Sequence, residues 1–360
     1  MAAVSYPPTM DALVFRGTRQ ITFERVPVPT PGPGEVLIKV SNSGICGSDL
    51  HGYLGHSARR TAHIPLIMGH EFAGQVVQVG APRSTESGIA NQPSLEPGDR
   101  VVVQPQITCR RCPACRSGRA NICPNMQIVG IERAGAFAEY VSVPADRVFP
   151  IPDSLSERHA SLVETLAVEV HLFAAMVQPI LRSVAIFGAG AQGLFAVQLA
   201  RLTGAEQIIV SDLMPSRLAL AERLGATHTF QADKVSVSRE VSRLTDGWGV
   251  DFSVDAVGAP AIRQEATAVL APGGTLGLVG LGRGETVLDF LPVVNKELSI
   301  KGSYCYTDGD FQRALDLVAH GTIEVESMID NAPLREGAHY FEQLLAPGTP
   351  FTKVVLAIGE

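Results

Sequence analysis

A glycine-rich turn between an apolar strand and a helix constrains the fold of this chain more than any other feature. The short apolar run Val184–Phe187 is followed directly by Gly-Ala-Gly-Ala-Gln-Gly and then by a helix-like segment. In such a turn the first glycine permits the tight bend, the second lets the backbone approach a pyrophosphate, and the third lets the helix pack on the strand. The helix N-terminus adds free N–H groups and a partial positive charge. We therefore predict a dinucleotide site at Gly188, Gly190, Gln192 and Gly193.

The same stretch must be distinguished from a membrane span. Ser183 to Ala200 contains no charged residue, and its length is nearly sufficient to cross a bilayer. Three glycines and two glutamines interrupt it, which favours a strand, a turn and a helix. We predict no membrane segment.

Strands and helices alternate after Arg182, which predicts a parallel sheet covered on both faces. Asp212 ends the second strand, about 20 residues after the turn, where a carboxylate accepts hydrogen bonds from an adenosine ribose and repels a 2′-phosphate. This favours NAD over NADP. A helix cap is the alternative role of Asp212, and Arg217 nearby weakens the argument against NADP.

The first 150 residues have a different texture. Val36–Val40, Gly74–Val79 and Arg100–Val103 are runs rich in β-branched residues, bounded by Gly, Pro and Asp, and typical of strands. A Pro-bounded stretch at 149–153 marks the end of this region, which we predict to be a β-barrel-like domain. The chain of 360 residues is long enough for two domains.

Four of the six cysteines lie in one short segment. They are Cys109, Cys112, Cys115 and Cys123. Structural zinc takes four ligands in a tetrahedron, and four thiolates close that shell to water and substrate. We predict a structural zinc site here, with buried free cysteines and an iron–sulfur cluster as alternatives.

Charge and composition exclude several classes of partner. Arginines around the four cysteines raise the possibility of a nucleic-acid-binding zinc module, but no aromatic residues are interleaved and the net charge is −7. The acidic chain therefore favours no nucleic-acid partner. The N-terminus lacks the basic and apolar regions of a signal peptide, so we expect a cytoplasmic protein.

A second group of potential metal ligands has a mixed composition. Cys46, with Ser48 and Asp49 close behind it, and the pair His70-Glu71 supply a thiolate, an imidazole and carboxylates. Catalytic zinc usually keeps three protein ligands of mixed type and leaves one position for solvent or substrate. The combination predicts an open zinc site separate from the four-cysteine site.

These motifs together resemble the zinc-containing medium-chain dehydrogenase/reductases of the alcohol dehydrogenase superfamily. GICGSD, GHEFAG, the four cysteines, GDRV and GAGAQG occur in the order that this family shows, over nearly the whole chain. The resemblance implies an α/β protein with a GroES-like β-barrel catalytic domain, 1–155 and 298–360, and a doubly wound Rossmann domain, 156–297. It also implies a homodimer or homotetramer.

The resemblance further implies roles for individual residues. Cys46 and His70 match the first two catalytic zinc ligands, and Asp49 matches the carboxylate that orients the histidine. Ser48 and His51 match a proton relay.

The third ligand is less clearly marked. Glu164 lies in Glu-Thr-Leu-Ala-Val, which resembles the E-P-L-x-V signature of the sorbitol and polyol dehydrogenases, although Thr165 replaces the usual proline. Glu164 would then replace the cysteine of alcohol dehydrogenases, and Glu71 would be a direct or exchanging ligand.

The expected activity is reversible, zinc-dependent transfer of a hydride from a secondary alcohol or polyol to NAD, with two zinc ions per chain. Three alternatives stay open. One is a threonine 3-dehydrogenase, and another is a dehydrogenase of sugar-alcohol phosphates such as galactitol 1-phosphate, with Arg59 and Arg60 as candidate anion contacts. The third is a non-catalytic protein that binds zinc and a dinucleotide.

Overall fold

The structure, a computed structural model, describes residues 6–82, 94–175, 182–282 and 284–359. The chain forms two units, Met1–Glu164 with Thr307–Glu360, and Thr165–Tyr306. The first unit extends to residue 164 and resumes at 307, whereas the predicted boundaries were 155 and 298. The chain leaves the first unit inside a helix, Val163–Ala174, and not at the Pro-bounded stretch before it.

The N-terminal part of the first unit is mainly β-structure. Its strands are β1 Thr9–Gly17, β2 Gln20–Pro27, β3 Glu35–Gly44, β4 Leu66–Ile67, β5 Glu71–Val79, β6 Arg100–Val103, β7 Gln106–Ile107, β8 Gln127–Ile128, β9 Tyr140–Pro144 and β10 Val148–Pro150. Its helices are α1 Gly47–Tyr53, α2 Ala58–Thr61, α3 Pro113–Arg116 and α4 Glu157–Ala160, and α5 Val163–Ala174 leads into the second unit. The three predicted strands are confirmed as β3, β5 and β6.

The second unit alternates strands and helices as predicted. Its strands are β11 Ser183–Phe187, β12 Gln207–Asp212, β13 His228–Gln231, β14 Val250–Asp255, β15 Leu270–Leu278 and β16 Ser299–Gly302. Its helices are α6 Ala191–Leu202, α7 Pro215–Leu224, α8 Val237–Leu244, α9 Pro260–Ala268 and α10 Leu291–Asn295. All strand pairs are parallel, in the order β13-β12-β11-β14-β15-β16. This is the doubly wound strand order of dinucleotide-binding folds. The chain adds strands to one side of β11 and then to the other, and such folds usually bind ligands at this switch point.

The chain then returns to the first unit. The returning elements are α11 Asp308–Ala319, β17 Ile329–Pro333, α12 Gly337–Leu345 and β18 Lys353–Ala357. The main sheet of this unit has the order β10-β6-β5-β3-β18-β17, with β9 also paired to β3. Strand β18 therefore lies directly against β3, on the opposite side from β5, and this adjacency positions the metal-ligating residues described below.

No helix in the described ranges is long and apolar enough to cross a membrane. The uncharged stretch at Ser183 is divided between strand β11 and helix α6, as predicted from its glycines.

Helix α5 carries a buried carboxyl group that the sequence analysis did not single out. Glu169 is fully buried, and neither of its carboxyl oxygens has a hydrogen-bond partner among the described residues. Three and four residues further along the same helix, Leu172 contacts Gly277 of β15 and the Phe173 ring packs edge-on against Phe252 of β14. Burial raises the pKa of Glu169 from 4.5 to about 8.

Replacement of Glu169 by leucine is expected to stabilise the protein at pH 8 and to have little effect at pH 5. The unfolded chain loses this proton above pH 4.5, whereas the folded chain keeps it until about pH 8, so folding stability falls as the pH rises through that window. The gain at pH 8 should be on the order of 4 kcal/mol. Urea unfolding of both proteins at pH 5 and pH 8 measures it, and an identical pH dependence in the two proteins would contradict the expectation.

Candidate functional site

Cys46 lies where strand β3 passes into helix α1. It is the residue before the first turn of α1, and its backbone amide donates to Oδ2 of Asp49 at 3.0 Å. The preceding residue, Ile45, donates its amide to the carbonyl of Val354 at 2.9 Å. These two hydrogen bonds fix the backbone of Cys46 at the start of α1.

His70 and Glu71 are held in place by a glycine turn and by the sheet. Gly69 has a φ of +94°, and a Cβ there would lie 2.8 Å from the backbone nitrogen of Phe137, so only glycine fits this turn. Glu71 begins β5 and pairs with Gly44 of β3. Since Cys46 follows Gly44 by two residues, strand pairing brings the thiol next to the imidazole and the carboxylate.

The structure thus brings together three of the four predicted ligands of the open metal site. The ligand atoms of Cys46, His70 and Glu71 all lie within 4.8 Å of one another. Glu164, the second residue of α5, is buried but lies outside this group. One thiolate, one imidazole and one carboxylate form the mixed donor set expected of an open zinc site.

The carboxylate of Asp49 faces both His70 and a buried arginine. Its Oδ1 lies 3.3 Å from Nδ1 of His70 and 2.9 Å from Nη2 of Arg60. Burial opposes ionisation of Asp49, but attraction to His70 and Arg60 prevails and lowers its pKa to about 2. Burial likewise opposes protonation of His70, and the charges of Asp49 and Cys46 outweigh it and raise the pKa of His70. Asp49 therefore faces the Nδ1 side of the imidazole.

Arg60 does not lie in solvent. Its side chain is 3% exposed, and Gly52 makes room for it, because a Cβ at Gly52 would lie 2.4 Å from Cδ of Arg60. Its partner Asp49 explains this burial, so Arg60 is not an anion contact of the kind considered above. The neighbouring Arg59 is directed elsewhere, to the carboxylate of Glu132.

Ser48 and His51 lie on the same helix but do not hydrogen bond to each other within the described chain. Ser48 Oγ lies 3.4 Å from Nε2 of His70 and accepts a hydrogen bond of 3.3 Å from Arg60. His51 is half-buried, and burial together with the positive charges of His56 and Arg60 lowers its pKa. A neutral imidazole at His51 is thereby favoured, which is the form that accepts a proton.

A buried lysine that the sequence analysis missed neutralises Glu71. Lys353, the first residue of β18, forms an ion pair with Oε2 of Glu71 and donates a hydrogen bond of 3.3 Å to the carbonyl of Ile45. Burial opposes its charge, but Glu71, Cys46 and Glu164 together raise the pKa of Lys353. The sequence signal that could have indicated this buried lysine is its position at the start of the otherwise apolar strand Lys-Val-Val-Leu-Ala.

The four predicted cysteines form a second group, within the same unit. The sulfur atoms of Cys112 and Cys115 are 3.5 Å apart, those of Cys112 and Cys123 3.9 Å, and those of Cys123 and Cys109 3.5 Å. Disulfide sulfurs are about 2.05 Å apart, whereas four sulfurs around one zinc ion are about 3.8 Å apart. The separations fit a closed zinc site. Amide hydrogen bonds lower the pKa of Cys109 to about 6, whereas burial and the neighbouring cysteines raise the pKa of Cys115 to about 12.

The glycine turn of the second unit has the form that a pyrophosphate requires. Gly188 has a φ of +97°, and a Cβ on Gly193 would lie 1.8 Å from the carbonyl oxygen of Gly188. By contrast, a Cβ on Gly190 would meet no described atom within 4 Å. Gln192, in the first turn of α6, has a buried side-chain oxygen with no hydrogen-bond partner among the described residues. The turn thus offers an open space and an unsatisfied polar atom at a helix N-terminus.

Asp212 connects this turn to the end of β12. Its Oδ2 accepts a hydrogen bond of 2.7 Å from the amide of Ala189, and its Oδ1 accepts one of 2.8 Å from Met214. The carboxylate therefore supports the glycine turn as well as the start of α7. Arg217 is half-buried in the first turn of α7, five residues further on.

Comparison with known proteins gives two family matches. Residues 32–153 match the alcohol dehydrogenase GroES-like domain, and residues 191–320 match the zinc-binding dehydrogenase domain. The first match covers both groups of potential zinc ligands, and the second begins within the glycine turn; Glu164 lies between the two matches.

Full-length relatives agree with these matches. Sorbitol dehydrogenase of Bacillus subtilis is 37% identical over 326 residues, 90% of each chain. A probable D-xylulose reductase A of Aspergillus clavatus is 35% identical over 358 residues, 96% of each chain. A solved structure from Sinorhizobium meliloti, described as a zinc-binding dehydrogenase bound to NADP, matches with a TM-score of 0.88 at 33% identity, covering 97% of this chain and 99% of that one. This chain is therefore an oxidoreductase of the zinc-dependent alcohol dehydrogenase family.

Proposed function

We propose that the protein oxidises a secondary alcohol or polyol with NAD, reversibly, and holds two zinc ions per chain. The observation that carries the proposal is the donor set of Cys46, His70 and Glu71, whose ligand atoms lie within 4.8 Å of one another. Relatives named sorbitol dehydrogenase and D-xylulose reductase support a polyol as substrate. The intact donor set argues against a non-catalytic protein on the same scaffold.

The catalytic zinc would be held by Cys46, His70 and Glu71. When bound there, zinc acts as a Lewis acid that makes the substrate hydroxyl more acidic. Because Nδ1 of His70 faces Asp49, Nε2 is the nitrogen available to a metal. The four cysteines of the second group would hold a structural zinc, since a closed shell leaves no position for substrate.

The proton from the substrate hydroxyl needs a path out of the site. Ser48 lies beside Nε2 of His70 and places a hydroxyl group next to the proposed metal ligands. His51, on the same helix, is kept neutral and is the proposed acceptor. Because the two do not bond directly, the substrate or a water molecule would complete the path.

The dinucleotide would bind at Gly188, Gly190, Gln192 and Gly193. Asp212 at the end of β12 supports NAD, because its carboxylate would repel a 2′-phosphate. Arg217 and the NADP in a similar structure make NADP the alternative. A dinucleotide held there would supply the hydride-transfer chemistry of the reaction.

A substrate panel tests the proposal. Polyols, simple secondary alcohols, threonine and sugar-alcohol phosphates are each offered with NAD and with NADP, and nicotinamide reduction is followed by absorbance. We expect the highest kcat/KM for a polyol with NAD. A preference for threonine or for a phosphate would replace the proposed substrate class, and no reduction with any alcohol would reject the function.

Replacing Glu71 and Glu164 separately is expected to give different results. Glu71→Ala should weaken zinc binding at the catalytic site by about 10- to 100-fold, because Glu71 belongs to the ligand group. Glu164→Ala should keep two zinc ions per chain but lower kcat about tenfold. In this proposal Glu164 acts on the site from outside the ligand group or by exchanging with water at the metal. Metal content and turnover measure both effects. Glu169→Gln, a buried carboxyl on the same helix as Glu164, is the control, and a Glu164→Ala protein that loses one zinc would reverse the two roles.

Two further expectations complete the proposal. We infer a homodimer or homotetramer, as the resemblance implies, and a cytoplasmic location. Light scattering of the purified protein tests the oligomeric state, and fractionation of source cells tests the location.

A further inference from the structure

Three neighbouring strands place a buried cation against one of the proposed metal ligands. In the sheet order β5-β3-β18, Gly44 of the central strand pairs with Glu71 on one side and with Val355 on the other. Lys353 precedes Val355 by two residues and so projects from the same face of the sheet. The side chains of Glu71 and Lys353 therefore meet over Gly44.

Gly44 makes this contact possible. A Cβ at that position would lie 2.4 Å from Oε2 of Glu71 and 3.3 Å from Cε of Lys353. Any larger residue in the middle strand would occupy the space in which the two charged groups meet. The contact is thus a product of strand register and of one missing side chain.

Lys353 is fixed on the metal side of the sheet. It is 3% exposed, and besides Glu71 it contacts the carbonyl of Ile45, the residue before Cys46. With zinc bound and Cys46 as its thiolate, the side chains of Cys46, Glu71 and Glu164 would carry one negative charge more than the ion neutralises, and Lys353 would supply the balancing positive charge. The charge of Lys353 needs such a partner, because a buried cation without one is strongly unfavourable.

We propose that Lys353 is a positioning residue that shares the Glu71 carboxylate with the catalytic metal and keeps that carboxylate from binding the metal too strongly. This inference rests on the proposed zinc site at Cys46 and His70. A carboxylate that gives part of its charge to a lysine is a weaker metal ligand, so the metal stays more electron-poor and a coordination position stays available to the alcohol. Lys353 itself touches neither substrate nor metal in this scheme.

The proposal predicts effects of opposite sign on metal binding and on turnover. Lys353→Met leaves the full negative charge of the Glu71 carboxylate to the metal, so the catalytic site should bind zinc at least tenfold more tightly. The same change should lower kcat by about 10- to 100-fold, with a smaller effect on the KM for NAD. Lys353→Arg keeps the charge and should restore both quantities to within a few-fold of wild type.

The experiment measures zinc affinity by competition with a chelator, starting from metal-depleted protein reloaded with one or two equivalents. Steady-state kinetics are recorded on the fully loaded protein with the best substrate of the panel. Because Lys353→Met removes the ion-pair partner of Glu71 and could impair folding, the same substitution is also made in a Glu71→Gln background, where position 71 carries no charge. In that background it should change zinc affinity and kcat by less than threefold.

Other outcomes would overturn the proposal. If Lys353→Met binds zinc more weakly, Lys353 has a structural role. If Lys353→Met has the same effect in the Glu71→Gln background as in the otherwise wild-type protein, it acts by another route. The affinity measurement needs no substrate, so failure to find a polyol activity leaves it intact, and the wild-type metal content shows separately whether the zinc site exists.

Discussion

Replacement of Cys46 by serine is expected to lower turnover about 1,000-fold or more and to reduce the zinc content from two ions per chain to one. Cys46 supplies the only thiolate of the mixed donor group, and its position at the start of α1 is fixed by the amide contact with Asp49. A Lewis acid at this site would lower the activation free energy by several kcal/mol, and each 1.4 kcal/mol corresponds to about a tenfold change in rate. Metal analysis and nicotinamide reduction measure the two effects on the same preparation.

Cys305→Ser is the matched control for this substitution. Cys305 lies in the second unit and belongs to neither group of potential metal ligands. It should keep both zinc ions and wild-type turnover. Dinucleotide affinity should be unchanged in both variants. Cys46 lies in the first unit, whereas the glycine turn lies in the second, and Cys305 is far from that turn in sequence. A Cys46→Ser protein with two zinc ions and normal turnover would remove the catalytic metal from Cys46.

Replacement of Gly190 by alanine is expected to weaken dinucleotide binding about 100-fold while leaving the folded protein almost as stable as wild type. A Cβ on Gly190 meets no described atom within 4 Å, and the residue has a φ of −73°, which alanine adopts readily. The new methyl group occupies the space through which a pyrophosphate would approach the helix N-terminus. A loss of about 2.7 kcal/mol in binding corresponds to this 100-fold change.

Gly193→Ala provides the contrast. Its Cβ would lie 1.8 Å from the carbonyl oxygen of Gly188, so the turn itself must move, and both thermal stability and dinucleotide binding should fall. Fluorescence titration with NADH and thermal unfolding separate the two variants. Both should retain their zinc ions. Wild-type NADH affinity in Gly190→Ala would place the dinucleotide elsewhere.

Much of the fold could be predicted from local patterns. The β-branched runs at β3, β5 and β6 and the alternation of strands and helices from β11 onward are confirmed, and the second sheet has the predicted parallel arrangement. The return of the C-terminal segment to the first unit was expected only from the family resemblance. Composition contains no signal for it, because β17 and β18 resemble strands of either unit.

The candidate site was predictable where its residues are close in sequence. Cys46 and Asp49 are three residues apart, and His70 and Glu71 are adjacent. The four cysteines lie within one short segment. Lys353 was missed because it is 308 residues from Ile45, whose carbonyl it contacts. Arg60 was considered as a candidate anion contact, and its pairing with Asp49 became evident only once α1 and α2 were packed together.

The sequence by itself therefore determined the chemistry available: a glycine turn of the kind that dinucleotide-binding folds use, four thiols with zinc spacing, and a mixed donor set at Cys46, His70 and Glu71. Such motifs act over a few residues, where chain geometry alone fixes the positions of the side chains. The tertiary structure decided which charges surround that chemistry. It separated Glu164 from the ligand group and placed Lys353 against Glu71, because contacts between distant strands depend on sheet order and register, which no short stretch of sequence specifies.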